Sequence, residues 1–290
     1  MNYTPELLYQ VKSVHGENSW YDADKKLVIF TDVLGGKIYT YDEITGEKKE
    51  YTTSFAPGAV AACKDGGYIG CDKNKIYKLD DEFNIVKVLR ECAADFLTEK
   101  DMFNDCKCGP DGSYYLGTQS GVGTPDGGQF WRYDPDGTFE LVLNHVMISN
   151  GFAWAKDMKT FFYTDTNSHK IFAYEWEAGK LSGQRVVYAD ESCNFDGFCI
   201  DDEDNLWVAL WQGGKVLHID TKEGKVIDTI ETGCPLTTST VFGGPDMKTL
   251  YITTSRAMFK PGEHEDDEIS GSLFKCELPV SGPALFKGAF

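Results

Sequence analysis

The sequence predicts an all-β fold, a six-bladed β-propeller with four antiparallel strands per blade, spanning residues 1–290 as one domain. Three observations predict it. A strand–turn–strand pattern recurs six times along the chain. Its strands are rich in Tyr, Phe, Trp and β-branched residues, and its turns in Asp and Gly, the chemistry of short strands and tight hairpins. No amphipathic pattern runs for three helical turns; residues 93–101 alone suggest a short turn of helix.

The six units follow in order. Asp22–Asp32 leads into Gly35–Asp42, and Lys64–Asp72 into Lys75–Asp80. Pro110–Thr118 leads into Gln129–Asp134, and Lys156–Asp165 into Lys170–Glu175. Asp202–Leu210 leads into Lys215–Asp220, and Pro245–Thr254 into Ser272–Glu277. Aligned strands start near Leu27, Tyr68, Tyr114, Phe161, Leu206 and Leu250, at separations of 41, 46, 47, 45 and 44 residues. A period of roughly 45 residues with several strands per unit marks radial repetition: one sheet cannot bury both faces, and stacking the units around an axis covers them. Most Asp residues of the pattern read as turn formers, so function must lie in polar residues that break it.

Composition narrows the partners. The formal net charge is −18, which repels phosphate backbones and anionic lipids, so neither nucleic acid nor membrane is an expected partner. Residues 1–10 lack a basic segment followed by an apolar run, and no stretch is long and apolar enough to span a bilayer. The expected location is cytoplasmic, and the nine cysteines read as reduced thiols. Cys106 and Cys108 lack further ligands at zinc spacing. A Gly-x-Ser-x-Gly elbow, a phosphate loop and a His-Glu-x-x-His motif are all missing, and the five histidines are dispersed.

Four residues stand in phase ahead of the repeat. Glu17 precedes Asp22 by 5 positions; Asn104, Asn150 and Asp196 precede Pro110, Lys156 and Asp202 by 6 each. Equal offsets in a radial repeat place side chains at one end of the innermost strands, facing the axis. Two carboxylates and two amides form an oxygen set for a hard cation, Ca²⁺ or Mg²⁺, tolerant of Mn²⁺ or Zn²⁺.

Around these residues the chain resembles the SMP-30/gluconolactonase/luciferin-regenerating family. The resemblance rests on Gly16-Glu17-Asn18-Ser19-Trp20, Phe103-Asn104-Asp105-Cys106-Lys107, Ser149-Asn150-Gly151-Phe152-Ala153-Trp154, Asp196–Asp201 with Asn205–Ala209, and Val241–Thr254. It implies one divalent cation, Ca²⁺ first, held by Glu17, Asn150 and Asp196, with Asn104 beside metal and substrate. The implied activity is metal-dependent hydrolysis of a small-molecule lactone, the cation polarising the ester carbonyl and Asp196 taking the proton of the attacking water. A non-catalytic metal-binding or protein-binding propeller is the alternative.

Three departures from the family pattern bear on substrate. Gly16-Glu17-Asn18-Ser19-Trp20 is one residue shorter than the usual Gly-Glu-x-Pro-x-Trp and lacks its Pro. Met102 stands where sugar-lactone hydrolases carry Arg, and the 119–126 loop, beginning at Gln119, lacks their Glu. Met102, Asn104 and Gln119 are therefore the expected substrate contacts, and a less polar lactone than gluconolactone is an expected substrate.

Overall fold

The structure is a computed structural model that describes residues 3–120, 127–260 and 267–290. It shows six four-stranded antiparallel sheets. Their first strands are Gly16–Asp22, Val60–Ala62, Met102–Cys108, Ser149–Trp154, Asn194–Ile200 and Leu236–Gly243, which open blades one to six. Each of these strands packs against the first strands of two neighbouring blades, so the six form the innermost layer around a central channel and close a ring. The expected propeller is therefore present. The second strands begin at Leu27, Tyr68, Tyr114, Thr160, Leu206 and Thr249, within one residue of the positions the repeat predicts.

Blade six is completed from the other end of the chain: Glu6–Tyr9 pairs antiparallel with Leu273–Glu277 and supplies the outer strand. Without that closure the ring would open at two sheet edges. A second clasp comes from the C-terminus. Ser281 O accepts from Asp202 N, Gly288 bridges Cys63, and Ala289 N donates to Gly112 O. The Phe290 ring stacks on Tyr133 at 5.5 Å. The tail thus crosses the lower face from blade five to blade three.

Burial follows this layering. The first strands of blades two, four and six are buried throughout, whereas outer strands such as Lys48–Thr52 and Ile85–Glu91 are largely exposed. The repeat's Asp residues do hold turns. Asp32 accepts from the backbone N–H groups of Val14, His15 and Gly35, and Asp165 from those of Met147 and Ile148. Residues 93–101 form turns and bends rather than the helical turn expected of them. There Thr98 donates through its backbone N–H and hydroxyl to Asp101, which closes the segment on itself. Among the described residues the one helical element is a 3₁₀ turn, Thr166–Ser168. All nine cysteines are free and eight are buried. No described helix is long and apolar enough to cross a membrane.

Candidate active site

Glu17, Asn104, Asn150 and Asp196 lie at the second or third position of the innermost strands, at the end where the repeat places them. What aims them is local. Strand pairing slips between Glu17 and Trp20, Phe103 and Cys106, Asn150 and Phe152, and Phe195 and Phe198. An extra residue at a bulge breaks the alternation of a strand and re-aims a side chain. In blade one the irregularity includes Asn18, a non-glycine residue at φ 48° whose side chain donates to Gly58 O at 3.1 Å.

Glycines follow two of the four residues because neighbouring inner strands meet closely there. A Cβ on Gly151 would lie 2.6 Å from Asp196 O and 2.3 Å from the Phe198 ring. One on Gly197 would lie 2.9 Å from Thr238 O. The Asn-Gly and Asp-Gly pairs here are tight packing against the next blade, not hairpin turns.

All four side chains line one cavity of about 170 Å³ at the upper end of the channel, together with Gln119, His15, Ile148, Thr166 and Trp211. Asn104 Nδ2 donates to Ser149 O at 2.9 Å, and Asn150 Nδ2 to Thr166 Oγ1 at 3.1 Å. These bonds tie each amide nitrogen to the protein and leave the amide oxygen for a ligand. Asp196 is 3% exposed, accepts from Gly197 N at 2.9 Å and is hydrogen-bonded by Asn150. Burial pushes both Glu17 and Asp196 well above the usual carboxylate range, and the Asp196 charge raises Glu17 further. A cation between them would remove that penalty, and two carboxylates with two amide oxygens are the donor set a hard cation takes. Among the described residues no group of three His, Cys, Asp or Glu forms a candidate metal site, so the amides are integral to any such site.

Below the cavity lies a buried ion pair. Asp105 is 5% exposed, and Lys107 Nζ stands 3.6 Å from its carboxylate, too far for a hydrogen bond. The same ammonium donates to Phe152 O at 3.1 Å and Phe198 O at 2.8 Å, linking blades three, four and five. Burial raises the pKa of Asp105, and the Lys107 charge opposes that shift.

Met102 pairs with Gln119 across the strands of blade three but is not among the residues lining the cavity. Residues 121–126 of the expected lid fall outside the described residues. Sequence reasoning missed His15, Thr166, Ile148 and Trp211. Burial lowers the His15 pKa to about 4; its Nδ1 lies 2.9 Å from Ser255 Oγ, and its ring meets Trp211 edge-on at 5.5 Å. A signal was available for two of them. Trp211 ends its blade's second strand as Gln119 ends the corresponding strand of blade three, and Thr166 follows the end of another.

A family model described as the SMP-30/Gluconolactonase/LRE-like region matches residues 15–256. The chain belongs to this family. Regucalcin of Xenopus laevis is 33% identical over 94% of this chain and 95% of its own length. A Bacillus subtilis protein whose name proposes it as a sugar lactone lactonase is 31% identical over 96% of each chain. The crystal structure of a calcium-binding protein, regucalcin of Agrobacterium tumefaciens, superposes with a TM-score of 0.91 at 20% identity, covering 99% of this chain and 98% of that one. For this SMP-30-like chain the last comparison supports the fold.

Proposed function

We propose that the protein hydrolyses uncharged lactones with the help of one divalent cation, Ca²⁺ first, held by Glu17, Asn150 and Asp196. The observation that carries this is the convergence of Glu17, Asn104, Asn150 and Asp196 from four blades on one cavity with room for a small substrate. The Bacillus name points to the same reaction class, and the calcium-binding relative to the cation.

When bound, the cation supplies Lewis-acid polarisation of the lactone carbonyl. Asn104 orients the ring through its amide. Asp196 accepts the proton from the water that attacks the carbonyl carbon; the ring C–O bond then breaks and the alkoxide leaving group is protonated, giving a hydroxy acid. No Lys or Arg lines the cavity among the described residues. An anionic substrate would therefore find no protein cation there, which favours an uncharged one.

The calcium-binding regucalcin of Agrobacterium tumefaciens supports a second role, cation binding without catalysis. A lactone panel assayed after chelation and after return of Ca²⁺, Mg²⁺, Mn²⁺ or Zn²⁺ separates the two. Hydrolysis that is lost on chelation and restored by a cation is expected; cation binding with no turnover of any lactone selects the second role.

A further inference from the structure

His15 stands on the wall of the upper cavity, beside the four oxygen donors. Its backbone is held on both sides. The N–H donates to Asp32 at 2.9 Å, and the carbonyl accepts from Val33 N at 3.0 Å. The ring is fixed as well. Nδ1 lies 2.9 Å from Oγ of Ser255, which ends the second strand of blade six. Trp211, which ends that of blade five, meets the ring edge-on at 5.5 Å. Three blades thus locate one imidazole, the support a ligand-contacting group needs.

The hydrogen bonds around Ser255 assign the ring proton. Ser255 Oγ accepts from Ala257 N at 3.0 Å and has one proton to give. Two acceptors are in reach, His15 Nδ1 at 2.9 Å and Val14 O at 3.2 Å. Val14 O already accepts from Arg256 N, whereas Nδ1 has no other donor among the described residues. The hydroxyl proton therefore goes to Nδ1, and the proton of the neutral imidazole sits on Nε2. Nε2 has no hydrogen-bond partner among the described residues; the Glu17 carboxylate lies 3.9 Å off, beyond hydrogen-bond distance. Nor is Nε2 sealed in the core, as the unpaired indole nitrogens of Trp20 and Trp154 are, so its N–H opens on the cavity.

We propose that His15 is a substrate-binding residue whose Nε2–H donates to the ring oxygen of the lactone and stabilises the charge that builds there as the ring opens. This rests on reading the upper cavity as a lactone site. Water adds to the carbonyl carbon and gives its proton to Asp196. The ring C–O bond breaks, its electron pair stays on the ring oxygen, and Asp196 returns the proton to that oxygen. His15 keeps its own proton throughout; a donor fixed in advance where negative charge develops acts by electrostatics alone. The ring oxygen is the one left for it, because the cation polarises the carbonyl oxygen and no other residue is committed to the leaving atom.

The test compares δ-valerolactone with the thiolactone that carries sulfur at the ring position, on the full, metal-loaded chain. Sulfur is a weak acceptor, so a donor to the leaving atom helps the thiolactone little. His15→Phe keeps a ring against Trp211, and Ser255 can turn its proton to Val14 O. This variant should lower kcat/KM for the lactone by about 100-fold, the scale of one lost oxyanion donor. The thiolactone should lose less than about tenfold, so the ratio of the two shifts by about tenfold or more. His15→Gln, whose amide N–H can stand where Nε2–H does, should recover most of the lactone turnover. Equal losses on the two substrates, or no loss, would overturn the proposal while leaving lactone hydrolysis in place. Should the unmodified protein reject the thiolactone, failure of His15→Gln to recover lactone turnover overturns it. If the variants fail to fold, the imidazole nitrogen resonances of the unmodified protein decide, with His15 assigned through its contact with Trp211: protonation at Nε2 is expected, and protonation at Nδ1 overturns the proposal. A protein that turns over no lactone at all removes the lactonase reading and this proposal together.

Discussion

At the upper end of the central channel, strand bulges aim Glu17, Asn104, Asn150 and Asp196 into a cavity shared with His15 and Gln119. At the lower end the same strands carry Trp20, Cys108, Trp154 and Ile200 around an apolar cavity beneath the tail. The strands are common to both ends, so the difference comes from what interrupts them. Bulges at their beginnings turn polar groups inward, where burial makes ionisation unfavourable and a cation favourable. Regular pairing at their ends leaves aromatic side chains to pack against a segment from the C-terminus. A radial fold can thus hold two unlike cavities on one axis, provided something separates them. Lys107, on the lining of the lower cavity, and Asp105, next to Asn104 of the upper one, stand at that boundary.

The largest way to break the contrast is at the upper end. Asp196→Ala should lower kcat/KM by about 10³-fold on every hydrolysed lactone, equivalent to ~4 kcal/mol, the scale of a lost general base. Its melting temperature should not collapse, since the variant also removes a buried carboxylate whose ionisation is disfavoured. Full activity on each lactone would show that Asp196 does not take the proton.

The boundary pair comes next. Lys107→Met should destabilise the fold by about 3 kcal/mol, because removing one partner strands a buried charge. Three links are lost together: the ammonium's bonds to Phe152 O and Phe198 O and its attraction for Asp105. A further Asp105→Asn change in the same chain should recover part of the loss. Denaturant midpoints of the single and double variants measure this, and an unchanged midpoint for Lys107→Met would show that the pair does not stabilise this boundary.

How much of this was legible in the sequence differs between the two ends. The upper site was largely visible, because its four polar residues kept an offset of 5 or 6 residues from a repeat that was itself easy to see. The bulges that aim them were not, since a bulge is a matter of register between two strands and leaves no mark in one of them. The need for glycine at 151 and 197 was not legible either, since it comes from the neighbouring blade pressing on them. The lower cavity was invisible. Its wall combines strand ends from several blades with Leu285 and Phe286, which follow the last repeat and carry no periodic signal. The outer strand Glu6–Tyr9 was missed for the same reason, lying ahead of the first repeat.

Chelation gives a smaller effect that separates the ends again. A ligand that binds only the folded state stabilises by about 2.7 kcal/mol at 100 times its dissociation constant. Its removal should lower the melting temperature by roughly 5 °C or less in a chain of this size. The shift should be much reduced in the Glu17→Gln variant, which lacks one of the two carboxylates. Equal melting temperatures before and after EDTA, with metal loss confirmed by elemental analysis, would argue that the upper cavity does not couple a cation to folding.

The smallest expected effect concerns substrate choice within the upper end. Met102 opens the inner strand of blade three opposite Gln119, whose side chain reaches the cavity. Met102 itself stands outside the cavity lining, and its thioether offers no hydrogen-bond donor that could reach in to a hydroxyl-rich ring. Ile148 and Trp211 supply the apolar part of the wall. A site built to hydrogen-bond hydroxyls discriminates strongly because its buried polar groups suffer when unpaired; a wall of this kind does not. Simple alkyl lactones should therefore be hydrolysed with kcat/KM at least equal to that for gluconolactone. Met102→Arg should move the ratio toward gluconolactone by about tenfold, the worth of one added charged hydrogen bond. A competing donor is already present, since the Gln119 amide can meet a hydroxyl from the neighbouring strand. If Gln119 fills that role, Gln119→Leu will weaken gluconolactone hydrolysis while sparing alkyl lactones, and Met102→Arg will change little. A marked preference of the unmodified protein for gluconolactone would refute the apolar-wall argument and leave the fold and the four converging oxygen donors as they stand.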